Sequence, residues 1–201
     1  GVLQDVALTS SDGAKRKYYD ALVTSGKIPP DTLVLIARAA ARNISSDSDK
    51  GYVLERVDEQ RGATPAVHVA VAEAARTISS DNTKRRLLQS AIERSGGTVP
   101  VYAVADIAGG ISSDADKSAV LVQVADRYDG NDSLRTAFFA AANSISSDAS
   151  RSRVLLALLR RKEPLDRTSQ LALLRSARDI SSDHDKAAVL SAFAAEVPLD
   201  G

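Results

Sequence analysis

The stretch Ile44-Ser45-Ser46-Asp47 decides how this chain is read, because it comes back. It stands again at Ile78–Asp81, Ile111–Asp114, Ile145–Asp148 and Ile180–Asp183, and a degraded copy, Thr9-Ser10-Ser11-Asp12, precedes them all. The six motif aspartates, at 12, 47, 81, 114, 148 and 183, are separated by 35, 34, 33, 34 and 35 residues. A constant period of this size is the signature of stacked supersecondary units, none of which buries its apolar face alone.

Each copy reads as the start of a helix. The second serine (Ser46, Ser80, Ser113, Ser147, Ser182) is placed as the N-cap, its hydroxyl accepting an otherwise orphaned backbone N–H. The aspartate then lies in the first turn, where the helix dipole favours negative charge. Asp49, Asp116 and Asp185, three residues past the cap, approximate a capping box. Three residues beyond every motif aspartate stands a base: Lys15, Lys50, Lys84, Lys117, Arg151 and Lys186.

The next columns supply a core. Six and seven residues past the aspartate stand Tyr18-Tyr19, Val53-Leu54, Leu87-Leu88, Val120-Leu121, Val154-Leu155 and Val189-Leu190. Ten past it stand Leu22, Val57, Ala91, Val124, Leu158 and Phe193, completing an apolar stripe of helical period. Six before it, the five complete copies all have alanine (Ala41, Ala75, Ala108, Ala142, Ala177), small enough to let a second helix approach closely. Each unit is therefore a helix, a tight turn at Ser-Ser, and a second helix. The expected fold is all-α: one continuous α-solenoid, a superhelix over residues 1–201 of about six helix-hairpin repeats and 11–12 helices. The units fall near 1–26, 27–62, 63–97, 98–130, 131–163 and 164–201. Residues 1–9 read as the remains of a first helix, and Val197-Pro198 as the end of the last.

Composition narrows the classes further. The chain has 201 residues, 44% hydrophobic but only 4% aromatic, which suits slim helices packed through Ala, Val and Leu. Lys+Arg and Asp+Glu are both 26, giving a net charge of zero, and nothing in that balance suggests a nucleic-acid or anionic-lipid binder. There is no cysteine, hence no disulfide or thiolate metal site. Met is absent too, and a chain beginning at Gly1 is what a processed or excised segment is expected to show. Apolar runs such as Leu33–Ala37 and Val154–Leu159 are far below the ~20 residues that span a bilayer, so no direct membrane insertion is expected.

Five features of the sequence carry residue types capable of chemistry. The aspartates with their bases read as a structural ladder, each base bridging its own aspartate or that of the next unit. The other reading, a row of carboxylates (Asp47, Asp49, Asp81, Asp114, Asp116, Asp183, Asp185) for Ca²⁺, has to place six to eight oxygens around a cation beside a base in every copy. Ser181-Ser182-Asp183-His184 holds the residue types of a nucleophilic triad, but neighbours at a helix start do not orient one another, and five other units carry Ser-Ser-Asp without His. His68 and His184 lie in different units, which argues against a histidine metal site. Gly96-Gly97 and Gly109-Gly110 lack the spacing of a phosphate loop and read as helix-ending turns. Lys84-Arg85-Arg86 and Arg160-Arg161-Lys162 read as solvated helix faces, balanced by Glu93 and Glu163.

The run Ile-Ser-Ser-Asp-x-Asp-Lys-x-x-Val-Leu, preceded by Ala-Ala-x-x, resembles a short HEAT-like repeat, clearest at Ile44–Leu54, Ile111–Leu121 and Ile180–Leu190. Such repeats are similar to those of bacterial multidomain proteins, including extracytoplasmic regions of BlaR1-like membrane-bound sensor metallopeptidases. The resemblance covers nearly the whole chain. The peptidase of that family needs His-Glu-x-x-His, which is absent here, so the resemblance implies an accessory or sensor stack and slightly favours an extracytoplasmic location.

The expected function is thus a non-enzymatic scaffold for a protein or peptide partner, without catalytic residues, cofactor or metal. A sensor or ligand-binding domain of a larger bacterial membrane protein is the alternative. Positions that vary between copies are the candidate binding surface: Tyr52, Arg56, Arg85, Gln89, Gln123, Arg127, Arg153 and Arg160.

Overall fold

The computed structural model describes residues 11–97 and 99–196. Eleven α-helices and no strand occur among these residues. They are α1 (Asp12–Thr24), α2 (Pro30–Asn43), α3 (Asp47–Asp58), α4 (Pro65–Ala74), α5 (Asp81–Arg94), α6 (Val101–Gly109), α7 (Asp114–Ala125), α8 (Asp132–Asn143), α9 (Asp148–Leu159), α10 (Arg167–Arg178) and α11 (Asp183–Glu196). The all-α helical repeat is as the period requires. The helix expected over residues 1–9, the first two residues of the degraded motif, and the close at Val197-Pro198 lie outside the described residues.

Every odd-numbered helix opens with a motif aspartate. Ser46, Ser80, Ser113, Ser147 and Ser182 accept the backbone N–H three residues on, at 3.2–3.4 Å. The helices between them start by other means. Proline occupies the first turn of α2 and α4, whereas Asn131 and Asp166 cap α8 and α10. Three motif helices stop about a turn before the end of their units, α3 at Asp58, α7 at Ala125 and α9 at Leu159. In α7 the reason is visible: Arg127 and Tyr128 donate to Val124 and Ala125, three residues back, so the last turn tightens and ends the helix. A 3₁₀ turn, Ala75–Thr77, follows directly on α4.

The chain divides into two compact halves, Gly1–Pro100 and Val101–Gly201. In the first, α1, α3 and α5 stack in one layer, with α2 and α4 in another. In the second, α7, α9 and α11 form one layer and α6, α8 and α10 the other. The core of each half is the pair of columns six and seven past the aspartate: Val53, Leu54, Leu87 and Leu88 in the first and Val120, Leu121, Val154 and Leu155 in the second are all 0% exposed. At about 25 cal/mol per Å², burial of each such side chain is worth on the order of 1.5–3 kcal/mol. Ala75, Ala108, Ala142 and Ala177 are fully buried between the layers, as their size predicts. Gly109 packs against α8, where a Cβ added to it would stand 3.7 Å from Ala141 Cβ, so it ends α6 within the packed layer and not as a left-handed turn.

Candidate functional site

The periodic residues build the joint between repeats. Asp12 Oδ2 accepts the backbone N–H groups of Ser45 and Ser46, at 2.9 and 2.7 Å. Asp47 does the same for Ser79 and Ser80, Asp114 for Ser146 and Ser147, and Asp148 for Ser181 and Ser182, at 2.7–3.1 Å. One carboxylate oxygen thus grips two consecutive amides at the start of the next motif helix, where a negative charge also meets the positive end of the helix dipole.

The base column serves the other side of that turn. Lys15 Nζ donates to Asn43 O at 2.8 Å and Lys50 Nζ to Thr77 O at 2.9 Å. Lys117 reaches Ser144 Oγ at 2.7 Å, and Arg151 donates to Asp179 O and Ile145 O. Asn43, Thr77, Ser144 and Asp179 close the helix preceding the next motif, where carbonyls lack partners and the dipole is negative, while Ile145 belongs to the motif of Arg151 itself. The ladder therefore differs from the expected bridging of aspartates: Lys15 lies 3.3 Å from Asp12, but Lys15, Lys50, Lys117 and Arg151 all donate to backbone carbonyls. Lys50, Lys84 and Lys117 are buried, at 5%, 7% and 4% exposure, and the hydrogen bonds of Lys50 and Lys117 to backbone oxygen offset the cost of burying those cations. The capping box is likewise divided: the Asp49 amide donates to Ser46, but its carboxylate pairs with Arg16 of the preceding repeat at 3.0 Å.

The eight candidate surface residues part company in the structure. Tyr52 and Arg56 belong to the α1–α3 joint. The Tyr52 hydroxyl donates to Asp20 at 3.3 Å, its ring lies under the Arg16 guanidinium at 5.1 Å, and Arg56 Nε is 3.4 Å from the same Asp20. Arg85 donates to Gln89 along α5 at 2.9 Å. Arg153 is exposed on α9 and Gln123 half-buried on α7.

Arg127 and Arg160 do come together. With Asp126, Tyr128, Arg161, Lys162 and Glu163 they line a cleft of about 640 Å³ in the second half. The buried Tyr128 stacks edge-on against Phe138 and Phe139, and its hydroxyl meets Ser169 Oγ at 2.8 Å. Burial pushes the Tyr128 hydroxyl above its ordinary pKa, so it remains neutral. The Arg161 guanidinium lies 5.4 Å above its ring, a cation–π contact that ties a basic side chain to a rigid floor. The cluster Arg160-Arg161-Lys162, read from sequence as a solvated face, is a wall of this cleft.

Asp58, His68 and Ser90 form a second polar cluster that the sequence reading missed. Asp58 is 2% exposed, and its Oδ1 lies 2.7 Å from His68 Nδ1. Ser90 Oγ donates to Asp58 Oδ2 at 2.5 Å, with Arg94 Nε 3.6 Å from the same oxygen. The serine bonds the carboxylate and not the imidazole, so the cluster lacks the serine–histidine contact of a nucleophilic triad and forms a buried hydrogen-bonded network. A signal was present: Asp58 occupies a column filled elsewhere by Ile92, Ala125, Leu159 and Ala194. Ser182 caps α11, and Asp183 and His184 are exposed there. No group of three His, Asp or Glu side chains suited to a metal ion occurs among the described residues.

No family model, curated protein or solved structure matches the chain.

Proposed function

We propose that the chain is a non-enzymatic, HEAT-like repeat scaffold that binds an acidic protein segment in the cleft formed by Arg127, Tyr128, Arg160, Arg161 and Lys162. The observation carrying this reading is the division of labour between columns. The periodic aspartates and bases close the joints, whereas the cleft is lined from outside those columns, its Arg127 and Arg161 standing thirteen residues past the motif aspartate, where other copies have Ser25, Gln60, Arg94 and Glu196. Four cations face two carboxylates there, around an aromatic floor. Carboxylates on a peptide would meet planar guanidinium forks, and an apolar or aromatic side chain would meet the Tyr128 ring. Zero net charge favours such local recognition over a general attraction to polyanions.

The test is fluorescence anisotropy with a labelled pool of acidic peptides, compared with the same pool bearing Gln in place of Glu and Asp. Saturable binding weakened by salt, and lost in an Arg127→Glu/Arg160→Glu variant of unchanged helicity, is expected. Equal binding by the variant, or no preference for the acidic pool, would remove the cleft from consideration.

A further inference from the structure

The two ends of the described stack expose opposite halves of one interface. Within each half, a motif helix packs on the next through its positions 4, 8 and 11 past the aspartate, which meet positions 2, 5 and 9 of the follower. Gly51 abuts Thr83, Glu55 pairs with Arg86, the Asp58 carboxylate accepts from Ser90, and Ser152 donates to Asp185 O. The paired core columns follow the same polarity. The residue at position 6 looks back towards the preceding repeat and that at position 7 looks forward.

The end repeats reveal this polarity. Position 6 is 0% exposed at Val53, Leu87, Val120, Val154 and Val189, but 43% at Tyr18. Position 7 is 0% exposed at Tyr19, Leu54, Leu88, Leu121 and Leu155, but 42% at Leu190. Around Leu190 the neighbouring positions Ala187 and Ala194 are also exposed, although their counterparts Ser118, Ser152, Ile92, Ala125 and Leu159 are buried. Around Tyr18, the backward-facing Ala14, Lys17 and Ala21 are exposed. Asp183, whose counterparts each grip two serine amides, is exposed as well, and so is Ser11, which stands where such a donor serine stands in every other copy.

We propose that a second copy of this chain docks head to tail here, α11 of one on α1 of the other, repeating the α9–α11 and α1–α3 contacts. Leu190, Ala187 and Ala194 would lie against Tyr18, Ala14 and Ala21, and Asp183 would accept the Ser11 N–H. The charges agree: α11 has the exposed Asp183 and Glu196, while α1 offers the exposed Lys17. The surfaces are different on the two partners, so the contact is heterologous.

Sedimentation equilibrium of the full chain tests this. The average mass should rise above 21.2 kDa with concentration. Leu190→Glu and Tyr18→Glu, both at solvent-exposed positions, should each remain monomeric while keeping wild-type helicity. Mixed together, these two variants retain one competent head and one competent tail, and should form a one-to-one dimer and nothing larger. A mass that stays monomeric at every concentration would overturn the proposal, as would association that either variant leaves intact. Ala187→Glu repeats the tail test should Leu190→Glu unfold.

Discussion

The Oδ2 oxygen of Asp47 sits 2.7 Å from the backbone nitrogen of Ser80, a residue one repeat further along the chain. That bond and its twin to Ser79 join α3 to the turn before α5 through backbone groups that only a proline substitution in the follower would remove.

Replacing this carboxylate should therefore loosen the joint without altering helix content. Hydrogen bonds to a charged group are worth roughly 1.5–3 kcal/mol each, reduced here because Ser79 is exposed and water can replace the aspartate. Asp47→Ala is expected to cost about 2 kcal/mol in urea unfolding, and Asp47→Asn less, since its amide oxygen still accepts. Equal stability of the alanine variant and the wild type would show that the joint rests on apolar packing alone.

Gly51 offers a sharper test of packing. A Cβ there would stand 2.5 Å from Thr83 Cγ2, so Gly51→Ala should destabilise by about 1–3 kcal/mol despite the helix propensity it gains. Thr83→Ser removes the clashing methyl and leaves the next atom 3.9 Å away. The double variant should recover the loss, giving a coupling energy that a thermal or urea double-mutant cycle reads directly.

The buried Asp58–His68 pair predicts strong non-additivity. His68→Leu leaves the buried Asp58 Oδ1 without its partner and should cost about 1–3 kcal/mol, whereas Asp58→Leu combined with His68→Leu should cost less than the two single changes summed. If the single and double variants unfold alike, the pair does not hold α4 to α3.

Acid should weaken the fold through a few carboxylates. The Ser46 amide holds Asp12 below its ordinary pKa, the Asn131 side-chain amide does so for Asp129, and the Ser169 hydroxyl for Asp166. A depressed pKa contributes stability above the unfolded value, near 3.9, and loses it as pH falls through the lower folded value. Asp166→Asn should therefore be less stable than wild type at neutral pH, with the two denaturation midpoints converging below about pH 4. Tyr128 acts in the opposite range: its raised pKa gives stability below about pH 10 that is lost above it, and Tyr128→Phe should flatten that alkaline limb.

The fold was legible because caps and apolar columns are local facts repeated six times, and Ser46 or Leu54 means the same thing in each copy. The joint was half legible. The columns of Asp and base announced a ladder, but a backbone amide leaves no mark in the sequence, so the true partners of Asp47 and Lys50 were invisible and each other's charge was the natural guess. Arg127 and Arg160 were recognised as variable positions, yet their meeting depends on where two turns fall in space. Arg161 was discounted beside Glu163 for the same reason. Asp58 was hidden by being read along its own helix, when its departure from an apolar column was the clue.

The lysines buried at these joints have an evolutionary consequence. Lys50 donates to a backbone carbonyl and Asp47 accepts from backbone amides, groups that every residue except proline supplies. Each added unit thus needs only one acid and one base to be compatible with its neighbour, whatever else it carries. Duplication of a single unit would produce a working seam at once, and mutation could then refashion the outer surface while the seam stayed the same. An array closed this way can change its length faster than it changes its architecture.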